Sequence, residues 1–180
     1  MGCQSSNTRF FECNKIKFSL LSGKMLISLN IPRYTGGTYP VTFIFDTGAV
    51  LTQLSREMFE RLGYKNLARI GVTSMSGMSG NPILMDVYEL SKFKLAGSLE
   101  VINSQICVPQ DPNETSSHLL AQSSLRGFHY HVDSLADFIY FEKHSGVVTP
   151  WAPWVPNYES GSKIPNMEQS GYFNEVHSTG

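Results

Sequence analysis

No stretch of this chain stays apolar for the roughly 18–20 residues that a helix needs to cross a bilayer. The N-terminus also lacks the charged start and apolar core of an export signal. A protein that stays in the cytoplasm is the expectation from those two absences. Cysteine is scarce as well: Cys3, Cys13 and Cys107 are an odd number at wide spacing with no CxxC pair. That excludes a disulfide framework and gives no zinc site, and it suits a reducing compartment. Neither sign of charge dominates, since 14 Lys+Arg stand against 15 Asp+Glu for a net charge of −1. The positive field that gathers nucleic acid is missing, so nucleic acid is not expected as a partner. No Gly-x-Ser-x-Gly elbow occurs, which leaves a Ser/His/Asp hydrolase without its nucleophile turn. What the chain does have is 41% hydrophobic and 12% aromatic residues over 180 positions, enough for one packed domain and an appendage. Its 15 Gly and 9 Pro favour short strands joined by turns over long helices.

The ends differ from the middle. Met1-Gly2-Cys3-Gln4-Ser5-Ser6 matches the short pattern for N-myristoylation, with Cys3 placed for a second acyl chain. No polybasic cluster follows to reinforce an anchor, so a membrane partner is not expected and residues 1–11 read as a flexible start. From residue 145 to 180, Pro150, Pro153, Pro156 and Pro165 sit among Gly, Ser and Asn. Both tryptophans, Trp151 and Trp154, fall in that stretch, which proline biases towards extended structure. Two tryptophans are costly to leave in water, so this tail is expected to lie on its own domain or on a second copy.

Between them, residues 12–144 read as the domain. Lys15 to Leu21 and Met25 to Ile31 alternate apolar and polar about a turn at Gly23, which predicts a hairpin. Val41-Thr42-Phe43-Ile44-Phe45 predicts a buried strand. Ser55 to Leu62 predicts a short helix with Ser55 as N-cap and Gly63 just past its end. Ile70 to Leu90 reads as a hairpin with a small, Gly- and Ser-rich tip at residues 74–81, and Leu95 to Val108 as a further strand or hairpin. A second short helix is predicted over His118 to Arg126, before strands near Phe128 to Val132 and Phe138 to Phe141.

The informative cluster is Phe43-Ile44-Phe45-Asp46-Thr47-Gly48-Ala49. A carboxylate directly after a buried strand, followed by a hydroxyl and a glycine, is held in one pose at a loop tip. Two such carboxylates brought together share a proton: the ionised one activates water while the other protonates a carbonyl. One chain supplies only one of them. The alternative for Asp46 is a buried structural carboxylate that caps a turn.

The segment resembles the Asp-Thr-Gly-Ala signature of retropepsin-like aspartic proteases, single-domain relatives of pepsin that act as homodimers. The resemblance extends past the tetrapeptide: Thr52 to Gly63, the Gly-rich hairpin, and Leu119-Leu120-Ala121 in the later place of two apolar residues and a glycine before a helix. It implies an all-β fold, a closed barrel or sandwich with one or two short helices and a flap hairpin, homodimeric. It further implies Asp46 as the catalytic carboxylate paired with its copy, and Thr47 locking the two loops. Gly48 would offer its carbonyl to substrate, and Ala49 would line the cleft. Ser76, Gly77, Met78, Ser79 and Gly80 would form a flap tip over bound peptide. No metal or other cofactor is implied. Ala121 stands where the glycine is expected, and Gln122 and Ser123 where viral members often carry Arg and Asn; Val50 replaces the acidic residue that pairs with that Arg. Two functions from different classes follow. One is an aspartic endopeptidase; the other is a catalytically silent dimeric module that binds peptide without cutting it.

His129 and His131 share a strand face but have no evident third ligand, so they read as ordinary strand histidines. Asp133 and Asp137 read as turn formers, and Asp86 as a solvated residue of the flap.

Overall fold

The computed structural model describes residues 14–76, 82–145 and 155–156. Its strands are β1 (Lys15–Leu21), β2 (Lys24–Pro32), β3 (Thr38–Phe45), β4 (Thr52–Gln53), β5 (Arg69–Ser76), β6 (Pro82–Ala96), β7 (Leu99–Pro109), β8 (Leu119–Leu120), β9 (Phe128–Asp133), β10 (Phe138–Lys143) and β11 (Val155–Pro156). The helices are α1 (Arg56–Arg61) and α2 (Gln122–Leu125), with one 3₁₀ turn at Tyr64–Asn66. The protein is mostly β, as its turn-rich composition predicts. Among the described residues no helix is long and apolar enough to cross a membrane.

Alternation dictates which faces meet. Ile27, Leu29 and Ile31 of β2 and Val41, Phe43 and Phe45 of β3 all point into one core, which Phe93, Leu95 and Val101 enter from β6 and β7. Ile139 and Phe141 of β10 close it beside Phe45. The first hairpin turns at Ser22 and Gly23, with φ of 51° and 76°, the two positive values of the tight turn that matches strand twist. Helix α1 starts where Ser55 Oγ accepts from Met58 N at 3.1 Å, buries Phe59, and stops at Gly63, whose φ of 83° suits glycine.

The strands run in the order β11-β5-β6-β7-β4-β8-β3-β2-β1-β10-β9. Two features of this order position the candidate site. Strand β8 lies between β3, to which it is parallel, and β4, to which it is antiparallel. Strand β6 is long enough to serve two neighbours, pairing β5 with its first part and β7 over most of its length. The expected hairpin at residues 70–90 and the strands after it are thus one three-stranded ribbon.

Two expectations are corrected. The helix predicted over His118 to Arg126 begins only at Gln122, because Leu119 and Leu120 are drawn into the sheet beside Ile44 and Phe45, where Leu120 is fully buried. Asp86 is not solvated: its side chain is 13% exposed and sits between two arginines. Val155 and Pro156 pair antiparallel with Val72 and Gly71, so that part of the tail lies on its own domain. Trp151 and Trp154 lie outside the described residues.

Candidate active site

Strand β3 ends at Phe45, and the next six residues form a loop that returns into β4. Phe45 is anchored in the core against Phe141 and Tyr130, so Asp46 leaves from a fixed point. Asp46 N donates to Leu120 O at 3.0 Å, which extends the β3–β8 ladder up to the carboxylate itself. The Asp46 side chain then caps its own turn: Oδ1 accepts from Gly48 N at 3.0 Å and Ala49 N at 3.1 Å. Those two bonds fix the carboxylate plane and leave Oδ2 without a partner among the described residues. Thr47 and Gly48 are exposed at the tip, while Ala49 and Val50 are half-buried and Leu51 is buried. The turn-capping part of the alternative for Asp46 is therefore present on a half-buried rather than a buried carboxylate, and it uses one oxygen only.

The loop is held from behind by α2. Gln122 N donates to Ala49 O at 3.1 Å and Ser123 N to Val50 O at 2.9 Å, while the Gln122 side chain donates from Nε2 to Thr47 O at 2.8 Å. Below that lies a buried chain of hydroxyls. Thr52 Oγ1 is 2.6 Å from Ser124 Oγ, which is 2.7 Å from Ser104 Oγ, and Ala121 N donates to Thr52 Oγ1 at 3.1 Å. Ser123 Oγ accepts from Thr52 N at 2.8 Å and donates to Gln105 O at 2.8 Å. Each hydroxyl is satisfied, which is what makes so polar a layer tolerable under a loop.

These residues were missed in the sequence. A signal existed for Thr52 alone, which follows the apolar Ala49-Val50-Leu51, where a small polar residue at a core position demands a partner; Ser124, within Gln122-Ser123-Ser124, gave none.

The substitution of alanine for the expected glycine at position 121 is accommodated. Ala121 has φ −124° and ψ −175°, ordinary extended backbone that any residue adopts, and its methyl is fully buried.

The loop also packs against the β5–β6 hairpin. Leu51 joins Met85, Val87 and Cys107 in a small second core, with Val50, Ile70, Met75 and Ile83 against it. Burial pushes the Cys107 thiol up to about 12, so this cysteine is a packing group. Of the expected hairpin-tip residues, Ser76 ends β5, whereas Gly77, Met78, Ser79 and Gly80 lie outside the described residues. The structure thus brings Asp46, Thr47, Gly48 and Ala49 together in one turn and sets the hairpin beside them.

The remaining candidates resolve simply. His129 and His131 are exposed on β9, and no metal-binding group of three His, Cys, Asp or Glu occurs among the described residues. Asp133 Oδ1 accepts from Leu135 N and Ala136 N, both at 3.0 Å, a turn former as expected. Ser55 Oγ and His118 Nε2 lie 3.1 Å apart, but His118 Nδ1 faces the Thr42 carbonyl at 3.2 Å and Ser55 caps α1. With Nδ1 carrying the proton to that carbonyl, the pair ties α1 to β3.

A family model described as aspartyl protease matches residues 31–123, from β2 through the Asp46 loop and the hairpin to α2. Among solved structures, a retropepsin-like aspartic protease from Rickettsia conorii is similar at 19% identity and a TM-score of 0.48, over 71% of this chain and 87% of that one. No curated protein matches the sequence.

Proposed function

The chain belongs to the aspartyl protease family, and on that premise we propose that it is an aspartic endopeptidase whose active site forms between two copies. In this reading residues 12–144 are the protease domain, a retropepsin-like closed barrel, acting in the cytoplasm. Each copy contributes one Asp46. The ionised carboxylate takes a proton from a water, and the oxygen of that water attacks the peptide carbonyl. The protonated partner carboxylate gives its proton to the carbonyl oxygen, so charge stays balanced while the tetrahedral intermediate forms. Collapse then returns a proton to the leaving nitrogen.

The observation that carries this reading is the pose of Asp46 within the matched segment. One oxygen is held by two backbone amides at 3.0 and 3.1 Å, and the other is left for water or a second carboxylate. Preorganisation of this kind removes the cost of arranging the acid during the reaction. Thr47, exposed beside it, suits a contact between the two loops, and Gly48 and Ala49 suit the floor of a cleft for extended peptide. Residues 76–80 are assigned to the covering flap. The silent-module alternative drew on Ala121 and Gln122. Ala121 fits extended backbone and Gln122 bonds the Thr47 carbonyl, so neither distorts the loop.

The test is a mixed peptide library incubated with the full chain at acidic to neutral pH, beside Asp46→Asn. Cleavage products that vanish in the variant support the proposal. A folded, dimeric chain that captures peptides and releases them uncut supports the silent module instead.

A further inference from the structure

Asp86 is the most heavily bonded carboxylate among the described residues outside the Asp46 loop, and its place in the sheet gives it a use. Strand β7 pairs with β6 only as far as Met85↔Pro109. One backbone bond goes beyond, from Gln110 N to Leu84 O at 2.9 Å. Towards the tip the pairs Ser74↔Leu84, Met75↔Ile83 and Ser76↔Pro82 join the two hairpin strands, with no third strand paired to them among the described residues. The row just behind is wider: Val155, Val72, Asp86 and Val108 stand side by side across β11, β5, β6 and β7. Asp86 therefore lies at the root of the ribbon, two residues before the backbone bonds from the β7 side end at Leu84, while Met75 and Ile83 further on still pack against the second core.

Four side chains converge on its two oxygens. Arg56 of α1 donates from Nη2 to Oδ2 at 3.1 Å, and its Nε donates to Pro109 O at 2.9 Å. Arg69 of β5 donates from Nη1 to Oδ1 at 3.0 Å, and Gln110 donates from Nε2 to the same oxygen at 2.9 Å. The Tyr88 hydroxyl stands 3.4 Å from Oδ2. The Asp86 side chain is 13% exposed and that of Arg56 17%, so water competes poorly for these bonds. The Arg56 guanidinium in addition closes the end of β7 by holding its last carbonyl.

We propose that Asp86 is a positioning residue: it fixes the root of the β5–β6 hairpin to α1 and to the end of β7, and so sets how far the hairpin stands from the Asp46 loop. Its effect on catalysis rests on the endopeptidase reading, in which this hairpin covers the substrate. The carboxylate makes no contact with the reacting groups. It acts through the hairpin, at a point where a small change in root angle becomes a larger displacement at the tip.

The experiment measures amide hydrogen exchange on the full chain as wild type, Asp86→Asn and Arg69→Gln. In Asp86→Asn, amides of residues 72–76 and 83–86 are expected to exchange about tenfold faster, with those of β2 and β3 within twofold of wild type. Arg69→Gln removes one arm from a side chain 39% exposed and is expected to give a smaller change in the same residues. It decides the matter alone if Asp86→Asn does not fold. On peptide substrate, KM is expected to rise by a larger factor than kcat falls. Exchange that is unchanged in the hairpin, or faster to the same degree in β2 and β3, overturns the proposal. If no Asp46-dependent cleavage is found, the endopeptidase reading fails while the exchange result still decides the role of Asp86.

Discussion

Gln122 donates from its side-chain amide to the Thr47 carbonyl at 2.8 Å, one residue beyond the carboxylate of Asp46. Its own backbone N–H holds Ala49 O from the other side. A single residue of α2 thus grips the loop at both ends of the Thr47-Gly48-Ala49 segment.

Gln122→Ala removes the side-chain arm and keeps the backbone one. The bond is exposed and worth about 0.5 kcal/mol of stability, whereas kcat is expected to fall by about tenfold because the loop carrying Asp46 loses one of its restraints. Thermal unfolding and peptide turnover of the same preparation check both figures.

The hydroxyl layer beneath the loop acts as a unit. Ser124→Ala leaves Ser104 Oγ and Thr52 Oγ1 each short of a buried partner and is expected to cost about 1–3 kcal/mol. Thr52→Val costs a similar amount, since Ala121 N also loses its acceptor. The double variant is expected to fall short of the sum, because each change already breaks the shared bond; denaturant titration of all four proteins measures the coupling.

Much of this fold is legible in local pattern. The alternation of Ile27, Leu29 and Ile31, the cap at Ser55 and the stop at Gly63 each follow from neighbours a few residues away. The Asp46 turn is legible for the same reason, since its bonds to Gly48 N and Ala49 N span two and three residues. What could not be read is the long-range part. Leu119 and Leu120 suit a helix locally, yet they become a strand because β3 and β4 leave a gap that only they fill. Asp86 looked like a solvated hairpin residue because its partners Arg56 and Gln110 are 30 and 24 positions away. The hydroxyls of Thr52 and Ser124 meet across 72 positions, beyond the reach of any spacing argument.

Two glycines separate stability from function. Gly63 has φ 83°, and an added Cβ would meet Tyr34 Cβ at 3.4 Å, so Gly63→Ala is expected to cost about 1–2 kcal/mol with little effect on kcat. Gly48 has no positive φ, and its added Cβ would stand 3.5 Å from Asp46 Oδ1, an ordinary contact. Gly48→Ala is expected to leave stability within about 0.5 kcal/mol and yet to lower peptide hydrolysis sharply, since the methyl occupies the floor of the proposed cleft. Melting temperature and kcat/KM of the two variants are expected to rank in opposite order.

Alkaline pH tests the burial of Cys107 in the second core and of Tyr64 in the main one. Burial raises the Cys107 thiol from 9.0 to about 12 and the Tyr64 hydroxyl from 10.0 to about 12. The unfolded chain gives up these protons first. Stability is therefore complete below about pH 9 and declines as pH rises towards 12, by about 1.4 kcal/mol per pH unit for each group once its unfolded form has ionised. Cys107→Ala is expected to show a flatter decline between pH 9 and 10.5 in urea unfolding, whatever its stability at pH 7.

The central claim is that one Asp46 from each of two chains makes a single site, and mixing measures it most directly. Wild-type chain and Asp46→Asn are unfolded together in varying ratio at constant total concentration, refolded, and assayed for peptide cleavage. The account predicts activity that follows the square of the wild-type fraction, because a dimer with one carboxylate cannot share a proton between two. Activity that falls in simple proportion to the wild-type fraction, or persists in pure Asp46→Asn, contradicts it.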